Sequence, residues 1–340
     1  MSATFKYLTA ADQQGSDDES KENFALDVLM GLSDTPKQLM SKYIYDDYGS
    51  DAFQKIMDLP EYYLTNCEHE ILSQQPHEFD ELLRGEAFNL LELGAGDGRK
   101  TSLLLQHFLE SGFDFRYVPI DISEGAMRTL TALLDEKFPS LASEGIVADY
   151  FQGLRWMQAN NRQRNLVLLL GSNLGNFNKV QARSFLRHMW NTLNDGDYVA
   201  IGFDLKKDID VMQNAYNDEQ GVTADFNINL LRRINRELGG NFDLDKFRHY
   251  STYDVFSGAM ESYLVSQERQ QVFIKNIGCA FDFEAWESIH TEYSYKYLES
   301  DIEELAKNTG FTIAKQLYDS KHYFVDSVWR VRKSESITDA

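Results

Sequence analysis

From Phe88 to Asp204 the chain alternates nearly continuous apolar runs with segments of helical spacing, and this alternation constrains the fold more than any other feature. The runs at Phe88 to Leu93, Phe115 to Ile120, Gly145 to Val147, Leu166 to Leu170 and Tyr198 to Phe203 predict strands covered on both faces. Between them, Lys100 to Leu109, Ala126 to Glu136 and Gln181 to Leu193 predict helices. Such repetition requires a parallel sheet with helices packed on its two sides. Polar residues gather where the runs end, at Gly94 to Asp97, Asp121, Asp149, Asn173 to Asn176 and Asp204. In open α/β sheets that carboxyl edge is where ligands bind.

The first of these edges is the most specific: Glu92-Leu93-Gly94-Ala95-Gly96-Asp97-Gly98 passes from a buried strand through a glycine turn into a helix. Glycines there let backbone approach a ligand, although many such turns only reverse the chain. Glu92, and Asp121 at the end of the next run, favour S-adenosylmethionine over a phosphate-rich ligand.

The rest of the chain has a different character. Residues 1–22 are polar and acidic and read as a flexible arm. A helical pattern begins at Asn23. Tyr43 to Phe53 and Tyr62-Tyr63 are rich in tyrosine, which suits either a half-buried surface or the lining of a pocket for a small polar molecule. After Asp204 the alternation breaks into helices around Asp210 to Asn217 and Ala224 to Leu238. Strand-like segments follow near Tyr250 to Tyr253, Met260 to Val265 and Gln271 to Ile274, so a second domain is expected. Thr65-Asn66-Cys67-Glu68 and Ser300-Asp301-Ile302-Glu303 each match the capping-box pattern and predict a helix start. Phe311 to Leu317 and Tyr323 to Val331 read as an antiparallel pair at the far edge of the sheet.

The net charge of −21 argues against a sequence-independent grip on nucleic-acid phosphates or anionic lipid. No segment is apolar for long enough to span a membrane. The two cysteines and seven histidines show no paired metal-ligand spacing, so a metal-free, reduced, cytoplasmic protein is expected. No association stripe is evident, and a monomer is expected.

Several ordered motifs then narrow the reading. Tyr43-Ile44-Tyr45-Asp46, Leu59-Pro60-Glu61-Tyr62-Tyr63, Glu92-Leu93-Gly94-Ala95-Gly96 and Gly171-Ser172-Asn173-Leu174-Gly175-Asn176 appear first. Ala215-Tyr216-Asn217-Asp218, Gly221-Val222-Thr223-Ala224-Asp225-Phe226-Asn227 and Thr291-Glu292-Tyr293-Ser294-Tyr295-Lys296 follow in that order. Together they resemble the histidine-specific, S-adenosylmethionine-dependent methyltransferases over about residues 24–331.

The resemblance implies a Rossmann-like class I methyltransferase sheet with a second, mixed α+β substrate-binding domain. It divides the chain into a donor-binding domain (residues 70–204 plus 297–340) and a substrate-binding domain (residues 23–69 plus 205–296). It implies S-adenosylmethionine bound by Gly94, Lys100, Asp121, Asp149 and Tyr150, and S-adenosylhomocysteine as the product. The acceptor would be histidine, a small-molecule substrate, met by Phe53, Tyr62, Gly171, Asn176, Tyr216, Glu292 and Ser294. Tyr45 and Asn176 would take the catalytic roles, and Lys296 would be structural or a charge partner. The implied reaction is Nα-methylation, repeated to the trimethylated product hercynine of ergothioneine biosynthesis. The chemistry of Glu292 and Ser294 agrees, since a neutral imidazole offers one N–H donor and one acceptor nitrogen. A carboxylate suits the donor and a hydroxyl the acceptor. Two readings stay open beside it: an N-methyltransferase of another amino acid or amine, such as a tryptophan-like one, and a non-catalytic binding protein on the same fold. Ser262 stands where the family carries an apolar residue, so the pocket's shape is also open.

Overall fold

A computed structural model describes residues 4–7, 17–160 and 163–333. The strands in chain order are β1 (Thr4–Tyr7), β2 (Lys37–Gln38), β3 (Phe88–Leu93), β4 (Phe115–Asp121), β5 (Glu144–Val147), β6 (Arg164–Leu169) and β7 (Tyr198–Asp204). They continue as β8 (Phe247–Asp254), β9 (Ala259–Ser266), β10 (Gln270–Ile274), β11 (Cys279–Phe283), β12 (Ser288–Tyr295), β13 (Phe311–Tyr318) and β14 (Phe324–Val331). The described residues form two compact units. One comprises β1, Leu64–Lys206 and the chain from Tyr295; the other runs from the helix Asp17–Ser33 to Tyr63 and resumes over Lys207–Ser294.

The first unit is built on an eight-stranded sheet in the order β1-β5-β4-β3-β6-β7-β14-β13. The strands from β1 to β7 pair in parallel, and β14 and β13 close the edge antiparallel. The apolar runs of the sequence fill its centre: Leu91, Leu93, Val118, Ile120, Val167, Leu169, Val199 and Ile201 are buried with Phe185, Met189, Ile302 and Trp329. From β3 the chain winds outward through β4 and β5, then crosses to β6 on the other side of β3. The order therefore reverses at β3 and β6, and their carboxyl ends border a crevice. This reversal is the standard ligand position of a doubly wound sheet.

The second unit is mixed α+β. It has a four-stranded sheet, β2-β12-β9-β8, and a β10-β11 hairpin. The helix Val222–Leu238 packs against β8 and against the helix Asp47–Met57. Buried Phe226, Leu230, Leu231, Ile234 and Leu238 recur at helical spacing along its inner stripe. Phe242, Phe247 and Phe283 meet edge to face beneath the hairpin.

Three sequence expectations are corrected. The stretch read as an arm contains β1, which adds in parallel to β5, and the helix begins at Asp17. An edge strand with open backbone groups accepts such an addition, and Thr4–Tyr7 alternates with the period of a strand. Thr65 does not open a helix, because the helix runs Tyr63–Gln74 and Glu68 lies in its interior. The last helix is Glu299–Thr309, and its reciprocal cap comes from Asp301, which accepts from the Leu298 amide at 2.9 Å. Ser300 and Glu303 are each two positions too far along the chain for that role.

Lys296 is a charge partner. Its ammonium lies 2.6 Å from Asp204 at the end of β7, with both side chains fully buried. Removing one member of a buried pair strands the other charge. Lys296→Met is expected to lower the unfolding free energy by about 3–5 kcal/mol. The double variant Lys296→Met with Asp204→Leu should recover much of that loss in urea titrations.

Candidate active site

Within the first unit, the residues expected to hold the methyl donor converge on the crevice at β3 and β6. The turn after β3 needs its glycines: Gly94 and Gly96 have φ of 78° and 55°, a region that disfavours other residues. A β-carbon at Gly94 would come within 2.7 Å of the Tyr150 hydroxyl and 2.8 Å of Asn173 Nδ2. At Gly96 the same position faces open space. The turn is thus crowded at Gly94 and open at Gly96, which leaves room for a ligand beside Gly96.

Asp121 ends β4 at this turn. Its Oδ2 accepts from the Gly96 amide and its Oδ1 from the Ser123 amide, both at 2.8 Å. Burial pushes its pKa up in spite of those amides, which favour the ionised form. Each carboxylate oxygen has lone-pair capacity left, as a pair of ribose hydroxyls would require. Asp149 Oδ1 accepts from the Gln152 amide at 2.8 Å in the first turn of the helix Tyr150–Asn160. The Tyr150 ring packs on Phe177 and Phe185, with centroids 6.4 and 5.9 Å away. This helix has no counterpart in the sequence reading.

Lys100 and Gly171 are neighbours. A β-carbon at Gly171 would lie 3.2 Å from the Lys100 Nζ. Glu68 joins them: it pairs with the Lys100 ammonium and accepts from the Gly171 amide at 2.7 Å. Asn176 closes the 3₁₀ turn Asn173–Asn176 after β6 and is half-buried. Glu68 escaped sequence reasoning, concealed by its apparent capping role, and Asn173 was read only as part of a polar strand end.

Glu92 lies under the glycine turn, where the Thr101 and Tyr117 hydroxyls donate to it. Burial raises its pKa from 4.5 to about 7, against those two donors. The folded chain therefore binds this proton more tightly than the unfolded chain. The associated stability is present in full below pH 4.5 and is lost as pH rises through 7. The amount is about 3 kcal/mol. Glu92→Gln should remove this fall from a plot of unfolding free energy against pH between 4.5 and 7.5, a window set by that shift.

The second unit carries the other group of expected residues, and five of the six form one row. The rings of Tyr45 and Phe53 meet at 5.7 Å, Phe53 and Tyr62 at 6.1 Å, and Tyr62 and Tyr216 at 6.2 Å. Tyr216 then shares a hydrogen bond of 2.7 Å with Ser294 Oγ on β12. Phe226 completes the cluster at 5.3 Å from Tyr45 and 5.8 Å from Phe53. Glu292 is half-buried two residues before Ser294.

Two aspartates outside the expected set fix this row. Asp46, next to Tyr45, accepts from the Gly49 amide at 2.8 Å, Asn229 at 2.7 Å and Arg236 at 2.6 Å. Burial raises the Asp46 pKa, but these donors outweigh it and leave it below the ordinary value. Asp218, two residues past Tyr216, accepts at 2.8 Å from the amides of both Val222 and Thr223 at the start of a helix. Ser251 Oγ donates to the Tyr216 carbonyl at 3.0 Å.

A doubly wound sheet with an acidic second strand end and a glycine turn fits a ligand that carries a ribose, such as S-adenosylmethionine. The family described as "Histidine-specific methyltransferase, SAM-dependent" matches residues 24–331, and the chain belongs to it. A histidine N-alpha-methyltransferase of Mycolicibacterium smegmatis is 35% identical over 291 residues, covering 85% of this chain and 89% of the relative. One from Mycobacterium tuberculosis is 34% identical, covering 80% and 83%. An N-methyltransferase from Aspergillus fumigatus is 28% identical, covering 83% and 77%. The chain is an N-methyltransferase with S-adenosylmethionine as its donor.

Proposed function

We propose that this enzyme methylates the α-nitrogen of L-histidine, in repeated steps, to the trimethylated betaine hercynine. The observation that carries the reading is the Tyr216–Ser294 hydrogen bond at the end of the aromatic row, with Glu292 two residues away on the same strand. Membership of a histidine-specific family supports it.

The donor supplies a methyl group already activated by a sulfonium, so the protein's task is chiefly alignment. Gly94, Lys100, Asp121, Asp149 and Tyr150 hold the donor, with Asp121 on the ribose hydroxyls. Glu292 accepts from the imidazole N–H, and Ser294 donates to the other ring nitrogen. The Tyr216 hydroxyl can donate to Ser294 Oγ, and the serine proton then points at the ring. The Tyr62 hydroxyl serves the substrate carboxylate beside the Tyr216 ring, while Gly171 and Asn176 orient the amine. The nucleophile is the free amine, so a proton must leave before each transfer. Tyr45 assists that loss. As methyl groups accumulate, N–H donors disappear and a cation remains, which the faces of Tyr45 and Phe53 favour.

Incubation with methyl-labelled donor and single amino acids should label histidine alone. Labelling of tryptophan or another amine in its place would overturn the assignment, as would donor binding without any turnover. Ser294→Ala and Glu292→Ala should each raise the KM for histidine about 10- to 100-fold, the loss expected when a buried polar partner goes unmet. The affinity for S-adenosylhomocysteine should be unchanged in both.

A further inference from the structure

Beneath the donor crevice of the first unit lies a cluster of three ionisable side chains, Glu68, Lys100 and Asp326. Glu68 has no exposed surface, and Asp326 is 1% exposed. Glu68 Oε2 pairs with the Lys100 ammonium, while Oε1 accepts from the Gly171 amide at 2.7 Å. The opposite side is supplied by the sheet. Asp326 on β14 is registered against Gly202 on β7, and a β-carbon at Gly202 would collide with Glu68 Oε1. Only a glycine at 202 leaves room for the Glu68 carboxylate there.

Two carboxylates and one ammonium cannot all be charged in so buried a place without an uncompensated negative charge. The hydrogen bonds decide which carboxyl is neutral. Glu68 receives two donors, whereas neither oxygen of Asp326 receives one from the described residues. Asp326 thus keeps its proton, and its neighbour Glu68 is the acceptor at hand. Burial and the Glu68 charge push the Asp326 pKa well up, in the same direction.

We infer that Glu68 is a positioning residue for the donor site, clamping Lys100 and Gly171 together, and that Asp326 is a reserve counter-ion for Lys100. The inference rests on the reading of Lys100 and Gly171 as binding residues. It makes the two carboxyls interchangeable in charge: when Glu68 is neutralised, Asp326 loses its reason to stay protonated and ionises beside Lys100.

The test is calorimetric binding of S-adenosylhomocysteine to wild type, Glu68→Gln, Asp326→Asn and the double variant at pH values from about 5 to 8, a span across the carboxyl range. Asp326→Asn should weaken binding less than about threefold, and Glu68→Gln about three- to tenfold at pH 8. The double variant strands Lys100 and should bind at least about fivefold more weakly than the product of the two single effects. Acidification should weaken binding to Glu68→Gln relative to the double variant, because Asp326 is then reprotonated. Glu92 also lies near this cluster and feels the Glu68 charge, but Glu68→Gln and the double variant both lack that charge, so its contribution cancels between those two. Additive effects, or a Glu68→Gln profile parallel to that of the double variant, would overturn the inference. Should the double variant fail to fold, adding Lys100→Met should restore folding without restoring binding; no restoration of folding would count equally against it. A wild type that does not bind the ligand would instead overturn the reading of the donor site.

Discussion

The reversal of strand order at β3 and β6 is the constraint on which the rest of the donor unit depends. Because the crossovers leave these two strands in opposite directions, the Gly94 turn and the Gly171–Asn176 loop face each other across one crevice. Their side chains meet there, with Asn173 beside both Gly94 and Gly171. No local feature of either loop produces this meeting. The packing of the sheet does, through apolar strands that tolerate no shift without exposing a face.

Acidic groups then concentrate below and beside the crevice. Glu92, Asp121 and Asp326 are all buried, and all have raised pKa values. Hydroxyls offset the first and backbone amides the second, while Asp326 receives no donor from the described residues, so their proton affinities are set by specific neighbours as well as by burial. Such a surround disfavours a polyanionic ligand and suits a donor with a ribose and a cationic sulfur. In the second unit the pattern differs: an aromatic row runs from Tyr45 to Tyr216, and Asp46 and Asp218 anchor the backbone beside those two residues. One unit is specialised for dipoles and charge, the other for ring faces and hydroxyls.

The sheet was legible because buried parallel strands leave an apolar signature that short-range alternatives do not mimic. β3 has the bounds that its apolar run implies, and β4, β6 and β7 differ from theirs by one or two residues. Elements whose residues answer to tertiary neighbours were less visible. The helices Asp47–Met57 and Tyr150–Asn160 begin in tyrosine- and aspartate-rich sequence, where helical spacing is obscured by side chains that join the aromatic row or pack on Phe177 and Phe185. Glu68 shows the limit most clearly. Its spacing from Thr65 matches a local cap, yet its partners, Lys100 and Gly171, are 32 and 103 residues away. Local patterns report backbone preferences; a buried carboxylate answers to whichever donors the fold brings to it. The reading of Tyr62, Tyr216, Glu292 and Ser294 as a substrate set rests on the ordered motifs they belong to.

The central claim is that methyl groups are placed on the α-nitrogen of histidine, with the imidazole serving only as a recognition handle. Position-resolved analysis of the product, by proton NMR and fragmentation mass spectrometry after complete turnover, tests it most directly. The account predicts methyl groups solely on the α-nitrogen, accumulating to three, and an unmodified ring. A methyl group on either imidazole nitrogen, or an α-nitrogen left unmodified while histidine is consumed, would contradict it.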